Sequence, residues 1–478
     1  MGGMNPILRT RAERTNYAQT SSHADVLAFL DGLKTIRRAT LAISTEGREV
    51  PLAILGSGAL TVYIQANIHA GEVEGKEAAL MLLRDCPKRL LERLTLVVAP
   101  IYNADGNEKW GEGIRNRPHQ DGPAQVGVRP NGQGLDLNRD CIKAESPEMR
   151  GVLKNVYDAL NPDVVFDLHT TNGTRHGWQL TYAPPTHPNT PEAVLSYSRD
   201  QLLPEVRKRL RKSHGWELFD YGNAEPLPST RERVWATFGE EGRYVTNYAG
   251  LRGSVAILSE AVSFLPFRFR VESTYRFVLE TLEVLARDAE KIRRMRTSVR
   301  MPGELGVRFE MASRGIESVP LERPRPESEI DHTKAPTALE TVKLPIYDRW
   351  KPIKLARVPK FYAIPGERHG AVSLLRRHGI ALEPLRRGWK GRAEVFTLAE
   401  RVAAREFQGH RLLRLEGRSE SRPEVELAPG SFLAPTDQPL GRLLFHLLEP
   451  ECLDGLAAWN FLDDALIPGQ PYPILKIF

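Results

Sequence analysis

Three apolar runs each end in side chains able to do chemistry. Thr61–Ile68 (TVYIQANI) leads into His69-Ala70-Gly71-Glu72, Asp163–Leu168 (DVVFDL) into His169, and Ser254–Ser259 (SVAILS) into Glu260. Short apolar runs rich in β-branched residues read as buried strands, and in open α/β sheets ligands sit beyond the carboxyl ends of strands. His69 and Glu72 stand three apart on a strand-to-helix turn, so both can reach one ion, and His169 joins them from a second strand. Two imidazoles and one carboxylate make a three-ligand zinc site whose fourth position is open to water.

Other chemistries fit this stretch poorly. Gly71–Lys76 (GEVEGK) resembles a phosphate loop, but Ala70 stands where its first glycine belongs and Glu77 where a hydroxyl should follow the lysine. HExxH, GxSxG and GxGxxG are absent.

The elements that must position these groups alternate along the first 300 residues. Ala39–Ser44 and Val50–Leu55 flank STEGRE as a hairpin, Glu72–Cys86 has apolar residues at helical spacing, and Leu94–Ile101 is another buried strand. Residues 103–145 are polar and Gly-rich, a length of loop that is usually functional or disordered. Ser146-Pro147-Glu148 and Thr190-Pro191-Glu192 open capped helices, the second running to about Lys212, and Val271–Met295 reads as one long amphipathic helix. Interleaved strands and helices predict an α/β sheet covered on both faces. Prolines at 302, 320, 324, 326, 336, 345 and 352 then predict a linker or an extended strap. Beyond it, Phe361–Ile364, Ala371–His378, Arg411–Leu415, Val425–Leu427 and Leu440–Leu448 suggest a smaller α+β unit, with Trp459 and Phe461 packing on its last helix and Cys452 buried. The expected division is 1–298, a Pro-rich linker 299–352, and 353–478.

Composition limits the alternatives. The 478 residues are 41% hydrophobic and 26% charged, ordinary for a soluble globular chain. Net charge is +6 and spread along the sequence, so neither nucleic acid nor membrane is an expected partner. Three cysteines without a CxxC exclude a disulfide scaffold and a thiolate zinc site. No apolar run approaches the ~18–20 residues of a membrane span, and the first 22 residues lack an apolar signal core. A cytoplasmic location is expected, or secretion if a leader has been removed.

Five motifs in order carry a family resemblance: HAGE, YNADGNEKW (Tyr102–Trp110), RPNGQGLDLNRD (Arg129–Asp140), DLHTTNG (Asp167–Gly173) and NYAGLRGSVAILSEA (Asn247–Ala261). Together, over roughly Ser22 to Arg296, they resemble the zinc metallocarboxypeptidases, the carboxypeptidase A-like family, in a bacterial type with a C-terminal extension. The resemblance implies a mixed, twisted sheet sandwiched between helices, one zinc per chain held by His69, Glu72 and His169, and Asp136 orienting His69. It implies Arg129 as oxyanion stabiliser, with Arg115 and Arg117 as competitors, and Asn138 and Arg139 holding the substrate's terminal carboxylate. It implies Glu260 as general base and a mobile tyrosine before it, Tyr248, with Tyr244 also qualifying. The short segment between Tyr248 and Glu260 leaves the pocket-floor residue unassigned, and Arg252 within it faces either an acidic substrate group or a surface carboxylate.

The expected function is hydrolysis of the C-terminal peptide bond of peptides that carry a free terminal carboxylate. An amidase or deacylase acting on N-acyl amino acids or cell-wall peptides, and an inactive carboxylate-binding module, are the alternatives. The sequence does not set the oligomeric state.

Overall fold

The computed structural model describes residues 8–227 and 231–478. The start of the chain, read above for a leader, lies outside the described residues as far as residue 7. Eight strands form the central sheet: β1 (Arg37–Ile43), β2 (Glu49–Leu55), β3 (Leu60–Ala66), β4 (Leu94–Ala99), β5 (Val164–Thr170), β6 (Leu180–Ala183), β7 (Leu218–Asp220) and β8 (Val255–Ala261). Their spatial order is β1-β2-β4-β3-β5-β8-β6-β7. The four central strands β4, β3, β5 and β8 run parallel, whereas β1 and β2 add on antiparallel at one side and β6 pairs antiparallel with β8 at the other. β5 and β8 are buried at every residue, which is why they read as continuous apolar runs rather than alternating ones.

Helices Glu74–Asp85, Leu203–His214 and Phe267–Arg287 cover one face through Leu80, Leu83, Val206, Phe277 and Leu282. The Ser146 hydroxyl accepts the Met149 N–H, and Pro147 sits in the first turn, as the Ser-Pro-Glu signal predicts. The helix opened by Pro191 widens to π geometry over Tyr197–Leu202 just before Pro204, whose missing N–H cannot join the regular ladder. The single helix expected over Val271–Met295 is two, Phe267–Arg287 and Ala289–Thr297, divided at Asp288, which accepts the Tyr197 hydroxyl at 3.0 Å.

Residues 299–352 do not form the expected linker. Glu304–Glu322 and Leu339–Arg357 are a long antiparallel hairpin, joined to Asn223–Pro226 and Arg233–Ala236 in a four-stranded sheet. The prolines misled because their missing N–H groups are not needed: Pro320 meets its outer neighbour only through its carbonyl, which accepts the Gly177 N–H at 2.9 Å, and Leu339–Arg357 pairs on its other side only at Ile346 and Tyr347. Proline is tolerated in a strand where no partner requires its N–H.

Residues 361–477 form a six-stranded sheet with helices His369–Arg377 and Gly441–Leu448. They keep a small apolar cluster of their own around Ala363, Ala393, Val395, Leu427 and Leu475, but most of their core is shared with the first part of the chain. One apolar cluster runs from Val50, Val97 and Ala256 of the central sheet through Tyr157 and Tyr248 to Tyr362, Leu443, Leu444 and Trp459. Trp459 and Cys452 are buried in it, as expected. The missed strands include Trp389–Phe407, which with His410–Leu427 makes a second long hairpin. Among the described residues no helix is long and apolar enough to cross a membrane.

Candidate metal centre and active site

The site sits where β3, β5 and β8 end together. Their register pairs Gln65 with Asp167 and His169 with Glu260, so His169 and Glu260 lie side by side while the chain leaving β3 turns back over them. Asn67 makes that turn in the left-handed region (φ 63°), and its side-chain amide donates to the carbonyls of Ala70 (3.3 Å) and Glu72 (3.2 Å). Residue 71 must be small: a Cβ there would lie 3.2 Å from the Gly127 carbonyl oxygen and 3.3 Å from Arg117 Cβ. Glu72 is thereby delivered beneath both imidazoles, with Oε1 3.0 Å from His69 Nδ1 and Oε2 3.0 Å from His169 Nδ1.

Each imidazole is aimed by a carboxylate on its far side. His69 Nε2 donates to Asp136 Oδ1 at 3.0 Å, and His169 Nε2 donates to Asp167 Oδ2 at 2.8 Å. Such bonds fix the tautomer, turn Nδ1 inward and raise its basicity. Asp136 lies against His69, the histidine it is expected to orient. Asp167 was missed, although the DLH triplet puts it two residues before His169, on the same side of the strand. The Gln65 amide in turn donates to Asp167 Oδ1 at 3.2 Å.

Among the described residues His69, Glu72 and His169 are the group that can hold a metal ion, their ligand atoms all within 4.8 Å of one another. The donor set fits zinc: two Nδ1 atoms and one carboxylate converge, and both Nε2 atoms are already committed to carboxylates.

The Gly-rich loop supplies the surrounding groups. Asn131 Oδ1 accepts the N–H groups of Gln133 and Leu135, closing a turn that presents Asp136. Asp136 is a hub: besides His69 it accepts the Asn138 N–H (2.9 Å) and Arg129 Nε (2.9 Å), and Arg139 Nη1 lies 3.9 Å away. Arg129 Nη1 reaches to 3.2 Å from His69 Nδ1. Arg117 is equally close, with Nη2 3.3 Å from Glu72 Oε1, but it also donates to the carbonyls of Thr170 and Thr171 and is mostly buried. Arg115 is exposed, pairs with Glu112 and does not reach the site. Asn138 and Arg139 both line the cleft; Arg139 donates to the Asn138 carbonyl at 2.8 Å, and its guanidinium lies 4.7 Å from the Tyr244 ring centre.

Charge and burial oppose each other here. Burial pushes the Glu72 carboxyl up, but Arg117 and the two imidazoles outweigh it and hold it well below the usual range. Burial also opposes ionisation of Asp136, and the His69 bond with Arg129 and Arg139 overrides it. Burial lowers His169, yet Asp167 and Glu72 raise it well above an ordinary imidazole. At Glu260 burial dominates: with Glu72 adding to it, and His169 and Arg117 pulling the other way, its pKa is raised to about 8. Its Oε2 is buried without a hydrogen-bond partner, and the residue lines the cleft, where a divalent cation would draw that value down.

Two assignments need correction. Tyr248 is not at the site. It lies in helix Val245–Leu251 and is 1% exposed; its hydroxyl is 2.7 Å from His378 Nδ1 and accepts Arg252 Nη1 at 3.0 Å. A side chain one turn into a buried helix packs against the sheet and Tyr157, not into the cleft. Tyr244, just before that helix, lines the cleft instead. Among the described residues Arg252 makes no salt bridge and does not line the cleft, although it attracts the exposed Asp158 carboxylate: it stacks 4.2 Å from the Tyr157 ring centre and donates to the His378 carbonyl. Tyr221, Phe238, Thr246 and Leu258, unmarked in the sequence reading, complete the cleft wall.

A sheet of parallel strands with a His/Glu/His centre at its carboxyl edge, and a buried unpaired glutamate beside it, defines a metallohydrolase. The family described as zinc carboxypeptidase matches residues 29–185, which include the three candidate ligands. Carboxypeptidase 2 of Trichophyton rubrum is 21% identical over 467 residues, covering 91% of this chain and 81% of that protein. The Trichophyton tonsurans carboxypeptidase 2 is 22% identical over 476 residues with the same coverage. A solved metallo-carboxypeptidase from Burkholderia cenocepacia aligns with 56% of this chain and 69% of its own at 17% identity and a TM-score of 0.42. Over residues 29–185 the chain is similar to the zinc carboxypeptidase family, and that match together with the carboxypeptidase relatives supports a zinc metallocarboxypeptidase hydrolase.

Proposed function

We propose that this chain removes the C-terminal residue of peptides, one residue at a time, with a single zinc ion held by His69, Glu72 and His169. When bound there, zinc supplies Lewis-acid chemistry, drawing charge from the scissile carbonyl and easing loss of a proton from water. The chain's own groups do the rest. Arg139 takes the substrate's terminal carboxylate through its planar N–H fork, and Asn138 donates alongside it. Tyr244 holds Arg139 in place by stacking. Glu260, which lines the cleft, accepts the proton of the attacking water on its carboxylate and passes it to the departing amine, a double task that suits a carboxyl tuned toward neutrality. Arg129, anchored through Nε on Asp136, presents Nη1 to the oxyanion that develops on the former carbonyl oxygen.

The observation that carries this reading is the pairing of a complete donor set with a buried carboxylate oxygen that has no partner of its own. A buried, unpaired acid is costly unless it is used. Mass spectrometry of a defined peptide mixture after incubation with zinc-loaded protein tests it. Successive losses of single C-terminal residues are expected, ending when a chelator is added. Internal cuts, or cleavage only of N-acyl amino acids, would replace the proposal with a different hydrolase.

A further inference from the structure

The long hairpin of the C-terminal unit reaches the catalytic loop. Its strands, Trp389–Phe407 and His410–Leu427, are joined by a two-residue turn, Gln408-Gly409, with both residues in the left-handed region (φ 54° and 77°). Residues 399–406 are exposed, whereas Phe407, Gln408 and His410 at the tip are half-buried. The tip is anchored on both flanks. The Arg243 guanidinium lies 5.3 Å from the Phe407 ring centre, and His410 bridges Glu145 Oε1 (2.9 Å) and Asn460 Oδ1 (3.2 Å). Between these anchors Gln408 Oε1 accepts the backbone N–H of Asp136 at 2.7 Å.

We infer that Gln408 is a positioning residue of the active site, holding Asp136 where it can orient His69 and Arg129 together. The inference rests on the function proposed above, because it gives Asp136 its importance. Asp136 ties one metal-ligand imidazole, both cleft arginines and the backbone of Asn138 into one network through two carboxylate oxygens. Its backbone N–H is the point from which the carboxylate is aimed, and the C-terminal unit supplies the acceptor. The extension is therefore a structural part of the cleft. Gln408 touches neither substrate nor metal, and its influence passes through Asp136 to the basicity of His69 and the reach of Arg129.

Two substitutions in the full-length chain separate reach from turn stability. Gln408→Asn suits the left-handed turn at least as well as Gln but is one methylene too short to meet Asp136. Gln408→Glu keeps the length and the acceptor. Zinc affinity is measured by competition with a chromophoric chelator, alongside kcat, KM and Tm. The Asn variant is expected to keep its Tm within ~2 °C, to bind zinc ~5–10-fold more weakly and to lose a similar factor in kcat with KM little changed, the scale of one lost hydrogen bond. The Glu variant is expected within ~3-fold of wild type on every measure. An Asn variant indistinguishable from wild type, or Asn and Glu variants impaired alike, would overturn the inference. A Tm loss in the Asn variant with zinc affinity and kcat unchanged would do so too, because it marks a merely structural contact. A wild-type chain that binds zinc but cleaves no peptide would sink the peptidase reading alone, since the zinc affinities would still judge Gln408.

Discussion

Replacing Glu260 with Gln should leave zinc content unchanged and lower kcat by roughly 10²–10⁴-fold, the usual contribution of a positioned general base. The amide fills the same space at the end of β8 but cannot accept the proton. Metal should stay because Glu260 lies outside the ligand group formed by His69, Glu72 and His169. Stability should hold or rise, since the neutral amide avoids the cost of holding a charge at a buried, unpaired position. The three readouts together separate a catalytic role from a structural one. A variant that turns over within about threefold of wild type would remove Glu260 from the proposed chemistry.

Replacing Arg139 with Ala should lower kcat/KM on free-acid peptides by about 10²–10³-fold. The loss corresponds to a two-pronged, charge-assisted pair with the terminal carboxylate, at ~1.5–3 kcal/mol for a hydrogen bond to a charged group. Amidating the substrate's C-terminus should cost the wild-type chain a comparable factor, because the same pair is lost from the other side. The decisive cell of this cycle is Arg139→Ala on the amide: its two losses should not add, since the interaction can be removed only once. If the variant keeps the wild-type preference for acid over amide, Arg139 is not the clamp. Arg129, whose Nε is committed to Asp136, would then be next in line.

The central sheet was legible because its strands are buried on both faces, so β3, β5 and β8 are written as unbroken apolar runs ending in chemistry-bearing residues. The same runs made His69, His169 and Glu260 legible, since the carboxyl end of a central parallel strand is a place that can be read from order alone. Glu72 followed from its spacing, and Asp136 from motif resemblance. Tyr248 failed because its fate depends on helix phase. Four residues separate it from Tyr244, and only the buried contacts with Tyr157 and His378 decide which tyrosine enters the core. Asp167 was overlooked because an acid inside an apolar strand reads as one more strand residue until the imidazole beside it is seen to need a partner.

The C-terminal half was harder for a different reason. Its hairpins are solvated along much of their length, so neither periodicity nor burial marks them, and the prolines of 299–352 point to a linker wherever the strand lacks a second neighbour. No local signal announces that Gln408 meets Asp136 across 272 residues; that contact exists only once the tip is docked.

The most direct test of the central claim is X-ray absorption at the zinc edge on the full-length chain loaded with one equivalent of zinc. The expected spectrum has only nitrogen and oxygen neighbours at about 2.0–2.2 Å, two of them imidazoles, and the imidazole signal should weaken in His169→Ala. Sulfur neighbours near 2.3 Å, or a spectrum that His69→Ala and His169→Ala leave unchanged, would contradict it.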